Sequence, residues 1–404
     1  MADHTHKPFK ERTSLAEARD QFRERVESHS RTEALPLRDA DGRVVAETVT
    51  AQADVPHYPR AAMDGYAVRA EDTFGASDRS PVVLRERDDE VEARSAKQVH
   101  TGSELPEGAD AVVMVEHTEE VGDEIEVFQP VSGGENVGPV GEDVETGQHL
   151  YDPGHRLRPS DLGLLRSVGL TEVTVFEQPT VSVIPTGEEL VQENPEPGEI
   201  IETNGLTISR LARRWGGEAT YNDIVTDDEE QLAEAIQRDL DHDIVVTTGG
   251  SSVGKRDLLP DVVSELGEVV VHGVGIKPGH PVAFGVVEET PVLMLPGYPV
   301  SCLINAVQFL RPALAWVAGT APEPFPSVTA RLDEKIYSEP GIRSFARVQL
   351  QERDGERVAT AVRASGAGVL SSVALSDGWV VVPEHSEGID GGETVTVQYW
   401  EGFP

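Results

Sequence analysis

The chain has 404 residues, a formal net charge of −38 and a single cysteine, Cys302. This length predicts about two to four domains, and the lone cysteine excludes an intrachain disulfide and any zinc or iron–sulfur site built from several cysteines of one chain. The excess of acidic residues argues against a nucleic-acid partner, because a surface that binds phosphate backbones is basic.

The first residues, MADHTHKPFKERTS, are polar and lack the apolar segment of a secretory signal. No apolar run in the sequence approaches the roughly 18 residues that a membrane span requires. We therefore expect a cytoplasmic protein that does not enter a membrane.

The segment 14–29 predicts an amphipathic helix. Its apolar residues, including Leu15 and Phe22, fall on one helical face. Ser14 followed by Glu17 is the pattern of a capping box, which marks the start of a helix.

The next part of the chain predicts mainly β-structure. Residues 43–55 alternate like one or two strands, and residues 56–150 contain short β-like runs separated by Gly, Pro and Asp. Residues 160–170 then predict a helix capped by Ser160.

From Pro179 onward, short apolar runs alternate with helical stretches, which predicts a parallel, doubly wound α/β domain. Strands are predicted in VSVIPTG, EATYNDIV, DIVVTT and PVLMLPG, and helices in NGLTISRLARRWGG, EEQLAEAIQRDL, LLPDVVSELG and PVSCLINAVQFLRPALAWVAG. A proline-rich linker, TAPEPFP, precedes residues 327–404, which are strand-like and predict a small all-β module. The predicted fold class is multidomain α/β plus β.

Small and acidic residues follow several of the predicted α/β strands. Ligands of open α/β sheets bind beyond the carboxyl ends of the strands. Glycines there let backbone N–H groups approach an anion, and converging acids suggest a divalent cation that bridges protein and phosphate. The candidates are Thr186, Gly187, Glu188, Glu189, Asp227, Asp228, the loop 248–254, Asp257 and the loop 296–299.

Each of these features also has a simpler explanation. The loop 249–255 matches the beginning of a P-loop, but Arg256 stands where that motif needs Ser or Thr for magnesium, so we do not expect a P-loop. The loop is either a phosphate cradle or a strand–helix turn that binds nothing. The acidic pairs are either ligands or solvated acids and helix caps. Lys277 is either a cleft cation for an oxyanion or a surface charge.

Other catalytic patterns are missing from the sequence. The histidines are scattered without an HExxH spacing, and we find no GxSxG motif. Cys302 lies in an apolar run and is predicted to be a core residue rather than a nucleophile. The motif AAMDGYAV places Asp64 beside Gly65, and its simplest explanation is an Asp-Gly turn between two strands.

Several of these stretches, in this order, resemble the molybdopterin molybdenumtransferase family, which includes the gephyrin E domain. They span about residues 15–385 and include AMDGYAV, TGSELPEGADAVVMVE, GEDV, PTGEELV, TNGLTI, TTGGSSVGKRD, IKPGHPVAFG, LPGYPVS and SGAGVLSSVALSDGW. Given this resemblance, the acid excess indicates a haloarchaeal member.

The resemblance implies four domains. A helical and extended scaffold domain is split between residues 1–45 and 146–177, around an inserted β-rich domain at 46–145. A doubly wound α/β domain of the molybdopterin-binding type follows at 178–322, and a C-terminal β-barrel at 323–404. The resemblance also implies a homodimer whose active site uses residues of both subunits.

The implied reaction inserts molybdate into adenylated molybdopterin and releases AMP with the help of a divalent cation, Mg²⁺. The implied chemistry relies on oxyanion stabilisation and metal-assisted phosphoryl cleavage rather than on a protein nucleophile. By their place in the motifs, the implied site residues are Asp64, Asp143 and Thr101 from the inserted domain; Glu189, Asp227 and Asp257 at the α/β site, with Asp257 and Glu189 as metal ligands; Thr186, Gly187, Gly249, Gly250 and Ser252 around phosphate; Lys277, Arg343 and Ser365 around molybdate; and Pro296 and Pro299 as pocket walls.

Three residues depart from the family's pattern. His280 stands where a second lysine is frequent, Tyr298 where asparagine is common, and Gly138 where an arginine often precedes GED. Each departure removes a cation or a polar contact, so the choice between molybdate and tungstate stays open. A protonated His280 would replace a lysine only below its pKa.

Two other functions stay open at this point. One is a non-catalytic dimeric scaffold, as the gephyrin E domain also serves in receptor clustering. The other is a molybdopterin adenylyltransferase that uses the same α/β domain. The intact acids of the strand-end loops argue against the scaffold, and the two additional β modules argue against the adenylyltransferase.

The charge composition predicts a dependence on salt. Only six of the 34 cationic residues are lysines, against 72 acidic residues. Such a surface is suited to molar salt, where the Debye length is about 3 Å and self-repulsion is mild. We expect the Tm, measured in thermal scans, to fall steadily as KCl is lowered from molar to millimolar concentration. A fully folded and active protein without salt would instead indicate an acidic protein of an ordinary cytoplasm.

Overall fold

The computed structural model describes residues 13–249, 258–362 and 368–401. The chain forms two compact units. The first contains the chain up to Arg31 and from Phe176 onward, and the second is Thr32–Val175. The finer four-domain division implied by the sequence remains a prediction.

The first unit begins with helix α1, Leu15–Arg23. As predicted, Ser14 is its N-cap, and its side chain accepts a hydrogen bond from the backbone N–H of Glu17 at 3.2 Å. The helix ends at Arg23 rather than at residue 29. Its apolar face is buried, and Phe22 packs against Phe284 with the ring centroids 4.7 Å apart.

The second unit consists mainly of short strands, as predicted for this part of the chain. They are β1 Thr32–Pro36, β2 Val49–Thr50, β3 Arg60–Ala61, β4 Gly65–Val68, β5 Val82–Glu86, β6 Ser95–Val99, β7 Ala111–Met114, β8 Thr118–Val121, β9 Glu124–Val127, β10 Val137–Gly138, β11 His149–Tyr151 and β12 Glu172–Phe176. A six-stranded mixed sheet has the order β7-β4-β6-β5-β9-β8. Tyr66, Leu84 and Ile125 are buried in its core.

Helix α2, Pro159–Ser167, is the helix predicted at 160–170, but its N-cap is Arg158 rather than Ser160. Proline at the first helical position is pre-organised for the helix. Asp161 then reaches back and accepts the backbone N–H of Arg158 at 2.9 Å, which completes the cap.

Asp161 is the centre of a polar cluster in the second unit. It is 3% exposed and accepts hydrogen bonds from the Arg158 guanidinium at 2.9 and 3.1 Å and from the Tyr151 hydroxyl at 3.2 Å, and it lies 2.8 Å from His155 Nε2. These contacts, led by those of Arg158, hold the pKa of Asp161 well below its ordinary value. Tyr151 stacks on His155 with the ring centroids 4.2 Å apart, so the cluster joins α2 to the preceding loop.

The first unit continues with the predicted α/β layer. Its strands are β13 Thr180–Pro185, β14 Leu190–Val191, β15 Ile200–Ile201, β16 Glu218–Tyr221, β17 Ile244–Thr248, β18 Glu268–His272, β19 Ile276–Lys277, β20 Ala283–Val287 and β21 Thr290–Leu295. Its helices are α3 Asn204–Arg214, α4 Glu229–Arg238, α5 Leu258–Leu266 and α6 Pro299–Val317.

The main sheet of this layer has the order β16-β13-β17-β21-β20-β18. The first four strands are parallel and almost entirely buried in the centre, as expected for strands covered by helices on both faces. Strand β20 alone is reversed and runs antiparallel to both of its neighbours, β21 and β18, which the sequence pattern did not predict. The reason is a tight hairpin between β20 and β21, in which Val287 pairs with Thr290 and Glu288 has a positive φ of 54°.

Helix α6 is the longest helix of the described residues. By length and composition its 19 residues, with a mean hydropathy of 1.4, meet the requirement for a membrane span, contrary to the expectation from the sequence. However, 89% of this window is buried inside the protein, as in a core helix. Ala306–Leu310 forms a π-helical turn within it, and Cys302 is buried in it as predicted.

The last part of the first unit is the predicted β-barrel. Its elements are β22 Ser327–Leu332, β23 Ile336–Tyr337, β24 Arg343–Arg353, β25 Glu356–Ala361, α7 Ser371–Ala374, β26 Gly378–Val382, β27 Gly388–Ile389 and β28 Thr394–Gln398. The sheet runs β24-β25-β22-β28-β26, and β26 pairs again with β24, so five strands close into a barrel. Strand β19 of the preceding layer pairs in parallel with β24.

The polar cluster around Asp161 predicts a measurable contribution to stability. Asp161→Ala should lower the free energy of unfolding by about 3 kcal/mol at neutral pH, because it removes all the contacts of a buried carboxylate with Arg158, Tyr151 and His155. The folded-state pKa of Asp161 is depressed, so its contribution is present above the ordinary pKa of about 4 and is lost as pH falls below it. Urea titrations at several pH values measure this.

The matched control is Asp39→Ala. Asp39 forms only an exposed pair with Arg38, and such pairs contribute about 0–1 kcal/mol. Equal urea midpoints for the two variants at neutral pH, or a difference that does not shrink in acid, would contradict the assignment.

Candidate active site at the carboxyl ends of the parallel strands

The three central strands of the parallel sheet end level with one another. Thr248 of β17 pairs with the last residue of β13 and with Leu295 of β21. The loops that follow these strands begin at Thr186, Gly249 and Pro296, so they meet at one edge of the sheet. The backbone N–H of Thr186 donates to Thr248 O at 3.3 Å, and that of Gly249 donates to Leu295 O at 3.1 Å.

Gly249 is the residue that permits this approach. Its φ of +138° is rarely adopted by residues with a side chain, and a Cβ there would lie 2.0 Å from the carbonyl oxygen of Thr186. A Cβ on Gly297 would lie 3.5 Å from the Cα of Gly249. The three loops therefore pack backbone against backbone, with little side-chain bulk between them.

Two hydroxyls beside this junction are buried without a partner. Thr186 is 1% exposed and Thr248 0% exposed, and the Oγ1 atom of each lacks a hydrogen bond among the described residues. A buried polar group without a partner costs about 1–3 kcal/mol, so such groups point to an ordered water or a polar ligand. These hydroxyls make the junction a candidate binding site for a polar group.

Asp227 and Glu189, both implied as site residues by the sequence, lie together. Asp227 is half-buried, and its Oδ1 atom has no hydrogen-bond partner in the part of the chain that the structure describes. Burial raises the pKa of Asp227, and the charges of Glu189 and then Glu188 raise it further, against a hydrogen bond from the backbone of Glu188. Gly187, where a Cβ would lie 3.0 Å from Glu189 Oε2, connects these acids to the junction.

The neighbouring acid, Asp228, has a structural role. It is the N-cap of α4, and its side chain accepts the backbone N–H of Gln231 at 3.0 Å. The sequence could not distinguish these two adjacent acids. Asp228 caps a helix, whereas Asp227 lies near Glu189 and has a carboxylate oxygen without a hydrogen bond among the described residues.

The acids at this edge suit a divalent cation. No group of three or more His, Cys, Asp or Glu side chains is placed to hold a metal within residues 13–249, 258–362 and 368–401. Magnesium commonly takes only one or two carboxylates and completes its shell with water and substrate phosphate. The unpartnered Oδ1 atom of Asp227, beside Glu189, fits that pattern.

Lys277 and Arg343, implied as oxyanion-holding residues, lie on the paired strands β19 and β24. Ile276 pairs with Arg343 and Lys277 with Ser344. Each cation already contacts a carboxylate: Lys277 Nζ lies 2.6 Å from Glu339, and Arg343 donates two hydrogen bonds, at 2.8 and 3.0 Å, to Glu384. An oxyanion at either residue would have to compete with these acids.

Asn305, which the sequence did not single out, fixes the turn after Lys277. Asn305 is fully buried in α6, and its side-chain amide donates to Gly279 O at 2.8 Å and to Ser301 O at 2.9 Å. Gly279 has a φ of +116°, and a Cβ on it would lie 2.2 Å from the Asn305 amide. The only signal in the sequence is a polar residue inside an otherwise apolar helix.

Arg347 was also missed. It lies on β24, an even number of residues after Arg343, so both side chains belong to the same face of the strand. Its Nε atom is buried without a partner among the residues described, and burial lowers the pKa of the guanidinium. A half-buried cation without a carboxylate partner suits an anion better than the paired Arg343 does.

The start of α3 differs by one residue from the prediction, and the difference brings the helix to the site. Asn204 was the predicted N-cap, but the buried carboxylate of Glu202 accepts the backbone N–H of Gly205 at 2.6 Å. The side-chain amide of Asn204 instead donates to Gly297 O at 2.7 Å. Helix α3 thereby holds the loop that follows β21.

In the second unit, Asp64 and Thr101 are brought together as the motifs implied. Asp64 Oδ1 accepts the backbone N–H of Thr101 at 2.7 Å and its hydroxyl at 3.1 Å, and these bonds lower the pKa of Asp64. A Cβ on Gly65 would lie 1.9 Å from Val113 O, so the AMDGYAV motif needs glycine for strand pairing. Asp64 remains exposed and ionised.

Asp143 lies elsewhere in the same unit. Its backbone N–H donates to Val55 O at 2.9 Å, and no hydrogen bond joins it to Asp64 in the described ranges. Next to it, Arg60 contacts Glu142 at 3.2 Å, and a Cβ on Gly138 would lie 3.1 Å from Arg60 Nε. The Arg60 side chain therefore covers Gly138, the position where the family's pattern often has an arginine.

Four of the implied site residues lie outside the described residues, so the structure places none of them. They are Gly250, Ser252, Asp257 and Ser365. Pro296 is buried at the end of β21, and Pro299 is the first residue of α6.

Comparisons with known proteins match this arrangement along the whole chain. The model "MoeA N-terminal region (domain I and II)" matches residues 13–169, "Probable molybdopterin binding domain" matches 182–316 and "MoeA C-terminal region (domain IV)" matches 329–400. A relative from Methanocaldococcus jannaschii, whose name places it in molybdopterin biosynthesis, is 37% identical over 390 residues, covering 94% of each chain. The chain belongs to the MoeA family of molybdopterin molybdenumtransferases.

Two further comparisons support this family and its fold. The molybdopterin molybdenumtransferase of Haemophilus influenzae is 31% identical over 399 residues, which cover 95% of this chain and 98% of that relative. The crystal structure of the molybdopterin biosynthesis MoeA protein from Pyrococcus horikoshii OT3 superimposes with a TM-score of 0.83 at 33% identity, covering 96% of this chain and all of that one. The family suggested by the sequence motifs is confirmed.

The backbone junction predicts that Gly249→Ala is severely destabilising. The new methyl group would clash with the carbonyl of Thr186, so we expect a loss of at least about 3 kcal/mol in the free energy of unfolding, measured by urea titration. Gly42→Ala is the matched control, since Gly42 also has a positive φ, +73°, but no atom within 4 Å of its Cβ position. It should cost only about 1–2 kcal/mol; equal losses would show that backbone strain, and not the close approach, decides.

Proposed function

We propose that this protein completes the molybdenum cofactor by inserting molybdate into adenylated molybdopterin, with release of AMP. The single observation that carries the proposal is the strand-end junction of a MoeA family member, where the Gly249 backbone meets Thr186 beside the acids Asp227 and Glu189. Hydroxyl donors and acids without partners among the described residues suit a phosphate and the cation that neutralises it.

In this proposal hydroxyl groups at the junction bind the phosphates of the substrate. The hydroxyls of Thr186 and Thr248, which have no hydrogen-bond partner among the described residues, supply donors to the phosphate oxygens. The residues orient the bond that breaks between adenylate and molybdopterin phosphate.

Asp227 and Glu189 would hold Mg²⁺ at this edge, together with Asp257. When bound, the ion neutralises charge on the phosphate oxygens as AMP leaves. The raised pKa of Asp227 means that its carboxyl takes up a proton at a higher pH than a free aspartate does, so cation binding weakens in acid.

The oxyanion would be held where β19 and β24 pair. Lys277 and Arg343 offer cations there that would release Glu339 and Glu384 and bind the oxyanion instead. One oxo ligand of the oxyanion then leaves as water with the protons of the molybdopterin dithiol, and the dithiolene sulfurs bind the metal. Ser365 would add a donor, and the protein would act as a cytoplasmic homodimer.

The adjacent acids Asp227 and Asp228 provide the decisive test. We expect Asp227→Asn to lower oxyanion-dependent AMP release by about 10- to 100-fold, because the cation loses a ligand. Asp228→Asn should leave the rate close to that of the wild type, because asparagine also caps helices. The assay measures AMP released from adenylated molybdopterin in molar KCl with Mg²⁺, and with molybdate, tungstate or neither.

The three conditions of this assay, with molybdate, with tungstate or with neither, distinguish metal insertion from the other possible functions. Release that requires molybdate or tungstate supports metal insertion and shows which oxyanion is preferred. A folded wild-type protein that releases no AMP with either oxyanion would refute the proposed reaction. An equal loss in the two aspartate variants would refute the cation site.

A further inference from the structure

Tyr298 is an exposed aromatic residue at the edge of the candidate site. It is 63% exposed, whereas Leu295 before it and Val300 after it are fully buried. Its hydroxyl makes no hydrogen bond within the described part of the chain. Neither core packing nor a polar contact of the described residues therefore accounts for a tyrosine at this position.

The backbone that carries Tyr298 is held firmly. Its carbonyl accepts the backbone N–H of Cys302 at 2.9 Å in the first turn of α6. The preceding residue, Gly297, accepts the Asn204 amide at 2.7 Å and lies against Gly249. The tyrosine ring is thus presented from a fixed loop directly beside the strand-end junction.

Glycines surround the position of the ring. Gly297 and Gly249 add no side-chain bulk on the side of the junction. Gly368, at the start of the segment leading into α7, is close enough that a Cβ on it would lie 3.4 Å from Cδ1 and 3.7 Å from Cε1 of the ring.

We propose that Tyr298 stacks on a planar heteroaromatic ring of the substrate; this inference rests on the proposed function. Adenylated molybdopterin has two such rings, adenine and the pyrimidinone ring of the pterin, each linked to the phosphates that the junction would bind. The net charge of −38 repels an anionic substrate. Stacking between aromatic rings does not depend on charge, so it adds affinity that this repulsion does not reduce. The contact sets the affinity for the substrate and leaves the chemical step unchanged.

The test measures ring binding without turnover. The probes are AMP, titrated calorimetrically, and 6-hydroxymethylpterin, followed by its own fluorescence. Wild type and Tyr298→Phe should bind both probes equally well. Tyr298→Ala and Tyr298→Asn should weaken binding of one probe about tenfold, the range of aromatic stacking on a base. The probe affected identifies the ring.

Tyr337→Ala is the matched control, because Tyr337 is 79% exposed on the barrel and lies in no proposed site. It should change the affinity for neither probe. In turnover, Tyr298→Ala should raise KM about tenfold and leave kcat within a factor of about two. Since Tyr298 is exposed, the substituted proteins should keep the Tm of the wild type, which thermal scans check.

Three results would overturn the assignment. The first is equal affinity of all variants for both probes, and the second is no binding of either ring by the wild-type protein. The third is a changed oligomeric state of Tyr298→Ala with unchanged ring binding, which would make the tyrosine a contact between copies of the chain. Intact ring binding without oxyanion-dependent AMP release would count against the proposed reaction and not against the stacking contact.

Discussion

The close approach of backbone to backbone at Gly249 is the constraint on which the candidate site depends. The register of the parallel sheet ends β13, β17 and β21 at one level, so the loops that follow must cross the same small space. A side chain at Gly249 would collide with the carbonyl of Thr186. Because glycine occupies this position, the loops pack backbone against backbone and no bulky side chain separates them.

The electrostatics of the molecule follow from its acid excess. In a chain of net charge −38, the cations near the proposed oxyanion site, Lys277 and Arg343, contact Glu339 and Glu384. The exposed Lys277–Glu339 pair contributes only about 0–1 kcal/mol, so an incoming oxyanion can displace that carboxylate at a small cost. The Arg343–Glu384 pair is partly buried and has two hydrogen bonds, so it is harder to displace. Arg347 differs, because its guanidinium is half-buried and no carboxylate of the described residues neutralises it.

Neighbouring residues at this edge have different roles because their surroundings differ. Asp228 caps a helix, whereas Asp227 is half-buried beside Glu189 and has an elevated pKa. Pro299 begins α6, whereas Tyr298 next to it projects into solvent. Local sequence patterns cannot separate such neighbours, since both members of each pair fit the same loop.

The sequence by itself determined the family, the alternation of strands and helices, the C-terminal barrel and the strand-end loops of the candidate site, because these depend on local periodicity and on motifs in a given order. It did not determine that β20 runs antiparallel to both of its neighbours, nor which polar side chains would lack partners. Asn305 contacts Gly279, and Gly249 contacts Thr186, across long stretches of chain. Only the tertiary structure decided these contacts, because burial and hydrogen-bond partners are set by residues that are distant in sequence.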